Sequence, residues 1–493
     1  MRYLLTGREM KIWEKQAMEK YQVPSILLME RAAKSVVNEL LSGSYDLHRV
    51  LVVCGTGNNG GDGLAVARML KSKGVSVEVY LLGNADKMTQ ETQLQFRMYQ
   101  AISGKMVTMP NCLEYTVIVD ALLGIGCNRE VTGETAAIIE KVNDSDAAVV
   151  SVDVPSGVSS DTGKICGTAI QADATVTFFT EKLGMILYPG RDCCGRILVE
   201  DLELPFDVTK ECRIVTYQEE DKKKLPLRPN HSHKGTFGKV LVIAGSPAIS
   251  GAAYLAGAAV YRIGAGLVKL YTPKENKTAM QVLLPEALLE IYDREQPSKE
   301  QLMQAVCWAD VIVIGPGLGT DAEAEKILEY VICESEVPVV IDADGLNLLA
   351  KNTNWLYAKK AEVLLTPHVL EMARISGEPK ENVKAHAMEI AENFVNKYPV
   401  TLILKDARTL VAKEGALMYV NTSGNSGMAT GGSGDVLAGM LGGLLAQGMM
   451  PIEAARLAVY LHGLSGDQAA SEKGAYAMTA RDILDGMIEV TKV

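Results

Sequence analysis

Four acidic residues stand where proteins of alternating strands and helices keep their chemistry, at the ends of apolar runs or inside glycine-rich turns. Asp62 lies in GTGNNGGDG at 55–63, Asp120 in VDALLGIG, Asp153 in VDVPSGV with Ser156, and Asp435 in GMATGGSGDVLAG. In the first of these stretches Gly55, Gly57 and Gly60 fit G-x-G-x-x-G between the strand-like RVLVVC and a helical segment. Glu78, in the next strand-like run, falls where a ribose-binding acid is expected. Taken alone the motif predicts a dinucleotide-binding enzyme, and a bare glycine turn satisfies it as well. Asn58, Asn59 and Asp62 change that reading, because they put side-chain oxygens where a pyrophosphate needs N–H donors. An unneutralised acid there repels phosphate, and a bound cation would resolve the conflict. Asp120 and Asp153 with Ser156 supply further oxygens over the same crevice, although strand-end acids also serve as simple turn caps.

The other acid belongs to a different kind of site. In NSGMATGGSGDVLAGMLGGLLAQG, at 425–448, a glycine loop runs into an apolar helix, whose first amides and dipole would favour a transferring phosphoryl group. Asp435, in the first turn, suits a general base that deprotonates an attacking hydroxyl; the plainer alternative is a helix N-cap. His368 is interpretable only through its TPH context, and the pair His231 and His233 offers two ligands at most, too few for a metal site.

The elements that must position these residues follow from periodicity. RVLVVC, VSVEVYLL, YTVIVDALL, AAVVSVDVP and DATVTFF alternate with helical segments, the rhythm of a mostly parallel sheet. Before them, Thr6 and Glu9 have capping-box spacing, and the apolar pattern predicts two amphipathic helices broken near Pro24. Around 207–233 the chain turns polar, charged and proline-bearing, as a linker does. A second series opens with KVLVIAGS and continues through LVKLYTP, DVIVIGPGLG, VPVVIDADG, AEVLLTPH and VTLILKD to a hairpin in TLVAKEGALMYVN. The fold class is therefore α/β in two domains, placed at 1–218 and 219–493.

Composition narrows the function classes. A chain of 493 residues exceeds one hydrophobic core, and a net charge of −11 argues against a nucleic-acid surface. The 9 cysteines are scattered with no C-x-x-C pair, so free thiols in a reducing cytoplasm are expected. No apolar run approaches a membrane span, and the start has no secretion-signal pattern.

NNGGDG at 58–63, DALLGIGCNREVTG at 120–133 and DVPSGV at 153–158, preceded by LLMERAA, resemble the NAD(P)H-hydrate epimerase family across nearly the whole first half. The resemblance implies a Rossmann-like three-layer αβα sandwich acting on hydrated NADH or NADPH beside a potassium ion. By position it implies that Asn59, Asp120 and Ser156 hold the ion. Asn58, Asn59, Gly60, Gly61 and Asp62 would line the substrate site, as would Gly124, Ile125, Gly126, Cys127, Asn128, Arg129, Glu130 and Asp153. The reaction is inversion at nicotinamide C6, with Asp153 as the acid/base.

The loop before Asp435 resembles the G-x-G-D signature of ribokinase-like proteins. Together with HKGTFGKVLVIAGS, IGPGLG at 314–319, DADGLNLLA and TPH at 366–368, it is similar to the ADP-dependent NAD(P)H-hydrate dehydratase family. That resemblance implies a ribokinase-like αβα domain that phosphorylates the C6 hydroxyl and expels it as phosphate, with ADP becoming AMP and magnesium bridging the nucleotide phosphates. It implies Asp435 as the base. The nucleotide would meet Lys405, Asp406, Ala407, Arg408 and Thr409, then Asn425, Ser426, Gly427, Met428 and Ala429, and finally Thr430, Gly431, Gly432, Ser433 and Gly434. The hydrated coenzyme would meet Asp435, Gly317, His368, Val369, Leu370, Glu371, Met372, Ala373 and Arg374. Two departures from the family pattern are TPHVLE in place of TPHPGE and LKD in place of LKG. The first changes the allowed backbone angles of the loop, and Asp406 in the second adds like charge near phosphates.

The function implied is a fused epimerase and dehydratase that repairs nicotinamide coenzymes. Its partners are small molecules, with no nucleic acid or membrane, and the chain is expected to form a homo-oligomer. A sugar or vitamin kinase with a Rossmann-type regulatory module, or a nicotinamide-nucleotide sensor, are the competing readings.

Overall fold

The computed structural model describes residues 1–203 and 212–492, so residues 207–211 of the predicted linker lie outside the described residues. The chain forms two compact units, one spanning Tyr3–Arg213 and the other Ile214–Val493 with Met1–Arg2. They divide ahead of the predicted 218/219 boundary because Ile214–Thr216, read from sequence as linker, is a strand paired in parallel with Met418–Val420.

The first unit is built on seven parallel strands. In spatial order they are Lys105–Val107, Val77–Leu81, Val50–Cys54, Val117–Ala121, Ala148–Val152, Ala174–Phe178 and Arg196–Glu200. The five-residue runs at 50–54, 117–121 and 174–178 are buried on both faces, which is why they read as continuous Val/Ile stretches instead of alternating ones. From Val50–Cys54 the chain winds first one way and then the other, so a switch point opens between that strand and Val117–Ala121.

Helix Asn58–Ser72 starts at this switch point and lies close on the sheet. A Cβ on Gly60 would come within 1.9 Å of the Gly55 carbonyl oxygen, and one on Gly63 within 2.5 Å of Ala121 Cβ. The glycines are thus required for close approach. The amino-terminal helices run Gly7–Glu19 and Ser25–Leu40 with Pro24 at the second N-cap, and Thr6 and Glu9 form the predicted capping box.

In the second unit seven parallel strands run in the order Leu288–Tyr292, Leu267–Pro273, Lys239–Ile243, Val311–Ile314, Val339–Ile341, Val363–Leu365 and Thr401–Leu404. The predicted hairpin, Leu410–Ala412 and Met418–Val420, continues the sheet in antiparallel fashion. Its switch point falls between Lys239–Ile243 and Val311–Ile314. Across it packs helix Ser433–Ala446, whose glycines make this possible, since a Cβ on Gly439 would lie 2.2 Å from the Ala256 carbonyl oxygen.

Candidate functional sites

A cavity of about 710 Å³ opens at the switch point of the first unit. Asn58, Asn59 and Asp62 line it from the start of helix Asn58–Ser72, and Gly124, Ile125, Gly126 and Cys127 line it from the loop after Val117–Ala121. Gly60 and Gly61 lie buried beneath the wall, while Asn128, Arg129 and Glu130 are exposed and do not line it.

Asp153 enters from the end of Ala148–Val152 with φ +68°, a left-handed conformation that Asp tolerates better than most residues. Its Oδ1 accepts from Lys182 Nζ at 2.5 Å and from Thr177 Oγ1 at 3.2 Å. Lys182 is only 1% exposed and gives its other hydrogens to Thr177 Oγ1 and the Phe178 carbonyl, at 2.8 and 2.9 Å. Sequence reading missed this lysine, and it missed Lys11 and Glu14, which reach the cavity from helix Gly7–Glu19. Burial, reinforced by Asp153 and opposed by Lys182 and Lys11, raises Glu14 to about 7. Asp62 is raised as well, by burial and then by Asp153 and Glu14.

Behind the wall, Asp120 is buried and accepts Ser156 Oγ at 2.6 Å, Ser156 N at 2.9 Å, Ser151 Oγ at 2.8 Å and Leu122 N at 3.3 Å. All four donors are neutral, so burial raises its pKa against their pull. Asn59 Nδ2 donates to the Leu123 carbonyl at 3.0 Å, and Ser156 Oγ accepts Leu123 N at 2.8 Å, so Asn59, Asp120 and Ser156 converge around Leu123. One carboxylate among neutral oxygens suits a monovalent cation. Among the described residues no group of three His, Cys, Asp or Glu side chains is placed to hold a metal ion.

Glu78 does not take the predicted ribose role. It sits near the start of Val77–Leu81, away from the carboxyl end where ligands bind, and is tied to Lys105 and to the Tyr115 hydroxyl at 2.5 Å. The expectation failed because a count of about 20 residues locates a strand but does not say which end of it an acid occupies.

The second unit gathers its polar residues beyond the strand ends. Asp342 follows Val339–Ile341 and is 1% exposed; it is paired with Lys405 Nζ at 2.6 Å and accepts Thr366 Oγ1 at 2.7 Å. Lys405 follows Thr401–Leu404 and reaches the start of helix Ser433–Ala446, where a Cβ on Gly434 would sit 3.2 Å from its Nζ. That helix has no side-chain cap, and Gly432 precedes it at φ +93°, leaving its first-turn amides for an anion. Asp435 is therefore not the N-cap. Burial, then Asp342, raises its carboxyl to about 7, against the opposing pull of Lys405. At the same helix start the buried ring of His462 meets the Ser433 carbonyl through Nε2 at 2.9 Å; burial lowers its pKa to about 4.

Other predicted contacts divide. Gly317, at φ +61°, packs against Ile249 and Ala252, and Arg374 donates to Asn347. Met372 is fully buried, so its side chain packs in the core rather than at the surface where a ligand would be met. Asn425 bonds Gly427 N and Asp467, which also accepts Gly424 N, each at 2.9–3.0 Å. Arg408 donates to the Thr422 carbonyl, while Asp406 and Ala407 are exposed.

Residues 240–489 match the NAD(P)H-hydrate dehydratase family, and residues 25–184 match the YjeF-related protein N-terminus family. A bifunctional NAD(P)H-hydrate repair enzyme from Moorella thermoacetica is 37% identical over 98% of this chain and 95% of its own length; its counterpart from Escherichia coli is 33% identical over 95% and 90%. The chain belongs to the bifunctional NAD(P)H-hydrate repair enzymes. It carries the epimerase domain first and the ADP/ATP-dependent dehydratase domain second.

Among solved structures, an ADP/ATP-dependent NAD(P)H-hydrate dehydratase from Bacillus subtilis, co-crystallised with ATP and Mg2+, is 31% identical to this repair enzyme. It matches over 56% of this chain and 96% of its own, with a TM-score of 0.50. A ribokinase-like superfamily protein from Enterococcus faecalis, also 31% identical, matches over 58% and 98% with a TM-score of 0.52. At the TPHVLE departure the repair enzyme forms a capped helix start. His368 Nδ1 caps the amides of Leu370 and Glu371, and Glu371 closes the capping box at 2.8 Å, so helix Val369–Ser376 starts without a proline. At LKD, the exposed Asp406 carboxylate is engaged by Ala407 N at 2.9 Å. Among the described residues no helix is long and apolar enough to cross a membrane.

Proposed function

We propose that the first domain, Tyr3–Arg213, interconverts the R and S forms of hydrated NADH and NADPH. The second, Ile214–Val493, dehydrates the S form with ADP, giving AMP and phosphate. The observation that carries this reading is Asp435, a carboxyl raised to about 7 beside uncapped helix amides. A base works best when its pKa lies near the working pH, and the amides hold the phosphoryl group that the activated hydroxyl attacks. Asp435 takes the C6 hydroxyl proton, the oxygen forms a bond to the β-phosphorus, and the bridging P–O bond to AMP breaks. The ring nitrogen then expels phosphate, and a C5 proton leaves to restore the double bond.

Lys405, fixed by Asp342, lies where a phosphoryl oxygen would approach, and the segment 425–434 surrounds the nucleotide. Magnesium, when bound with the nucleotide, neutralises charge developing on the phosphates. In the first domain Asp153, kept in place by Lys182, is the acid/base at C6, and Asn59, Asp120 and Ser156 hold potassium. Neutral donors alone surround the buried Asp120 carboxylate, which supports a cation there. The nine free cysteines agree with a cytoplasmic setting, and the active form is a homo-oligomer.

The test supplies an equal mixture of the two NADH hydrates with ADP, with ATP or with neither. Complete recovery of reduced-nicotinamide absorbance is expected with ADP, and half recovery once the epimerase site is disabled. Accumulation of a stable phosphorylated product, with no rise in absorbance, supports the kinase alternative instead.

A further inference from the structure

The first-domain cavity holds more acid than the epimerase reading has used. Asp62, Asp153, Glu14 and Glu134 all line it, with Lys11 and Lys182 as its cations. These groups are not equivalent. Lys182 has three hydrogens, and all are spent, on Asp153, Thr177 and the Phe178 carbonyl. Only one of these four carboxyls, Asp153, therefore receives a direct cation among the described residues. Glu14 and Asp62 share the wall with it and have none at hydrogen-bond range among the described residues.

The chemistry at C6 asks for such an inequality. The hydrated ring carries its hydroxyl on the carbon bonded to the ring nitrogen, so inversion without redox chemistry runs either through opening of that bond or through loss and return of hydroxide, and a pair of unequal carboxyls suits ring opening. A base must take the hydroxyl proton as the C6–oxygen double bond forms, and the electron pair of the breaking C6–N bond must be met by a proton at nitrogen. Rotation about C5–C6 turns the carbonyl to its other face. Closure then reverses both transfers, so neither group is consumed.

Building on the epimerase reading, we propose that Glu14 is the general acid that protonates the ring nitrogen while Asp153, fixed by Lys182, takes the hydroxyl proton. Glu14 comes from helix Gly7–Glu19, ahead of the matched residues 25–184. Two carboxyls in one cavity, one beside a lysine and one raised by burial, are the arrangement by which a site separates base from acid. Asp62 is the weaker choice. Burial, Asp153 and Glu14 all push its pKa up with no cation among the opposing influences, whereas Lys182 and Lys11 both pull on Glu14, which lies at about 7.

The experiment uses the full chain and follows exchange between purified NADH-hydrate epimers by chiral chromatography from pH 5.5 to 8.5. Wild-type turnover is expected to fall as pH rises through about 7, because an acid donates only while protonated. Glu14→Gln should lower epimerisation kcat by about 100-fold or more with KM changed less than about twofold, and should flatten that fall, while Glu14→Asp recovers part of the rate. Dehydration of the pure S epimer by the same preparations should be unchanged, which controls for the second domain, and an unshifted first-domain urea transition shows that the epimerase domain of each variant is folded. Wild-type kcat in Glu14→Gln, a surviving pH limb, or an effect confined to KM overturns the assignment. A wild-type chain that exchanges no epimers removes the epimerase reading itself.

Discussion

Both domains place a carboxylate beyond the strand ends of a parallel sheet, yet they treat its charge in opposite ways. In the first, Asp153 is joined to Lys182, a cation with 1% exposure. In the second, the available lysine, Lys405, is bound to Asp342, and Asp435 forms no ion pair among the described residues. A helix start and burial dominate instead, and the carboxyl is raised to about 7. Similar frames thus yield an acid held by a fixed cation in one site and, in the other, an acid whose proton is shared with solvent across the neutral range. What differs is where the lysine is spent.

The largest break in this comparison is Asp435→Asn. Removing the base should lower dehydratase kcat by about 1,000-fold, within the usual span for general-base loss, with epimer exchange unaffected. If the variant keeps wild-type turnover, the second site has been misread. Next comes Lys182→Met, which leaves a largely buried carboxylate without its cation. Urea unfolding should show the first domain destabilised by about 3 kcal/mol, and epimerisation should be lost, while the second domain's transition stays put. The pH profiles sharpen the contrast further. Dehydration should rise through about 7 as Asp435 loses its proton and can accept another, opposite in sign to the fall expected for epimerisation, and parallel profiles would erase the distinction.

Asp120→Asn should weaken the response of epimerisation to potassium over lithium about tenfold without touching dehydration. The smallest effect belongs to His368→Ala, which removes a cap from helix Val369–Ser376 and should cost about 1 kcal/mol in the second domain's melting. A larger loss confined to KM for the hydrated coenzyme would show that the ring meets substrate as well.

Much of the scaffold was readable because parallel strands buried on both faces appear as unbroken Val/Ile runs, and helix starts packed on strand ends demand glycine at fixed spacing. The acids at 62, 153 and 435 were legible for the same reason, since position after a strand or glycine loop says where they must point. Glu14, Lys11 and Lys182 were not. Each lies in a segment whose local pattern is that of an ordinary solvated charge, and only tertiary folding brings helix Gly7–Glu19 and the segment after Ala174–Phe178 to the cavity. The short strands Lys105–Val107 and Ile214–Thr216 escaped because three residues leave too little periodicity. Glu78 misled because spacing is blind to strand polarity.

The backbone at Asp153 leaves a mark on how this protein can age. A residue bent to φ +68° costs roughly 1–3 kcal/mol that glycine would not incur, and asparagine would share the bend while losing the charge. In a lineage released from selection for the first reaction, folding alone would favour glycine at that place. An aspartate retained there is a running record that the chemistry is still in use.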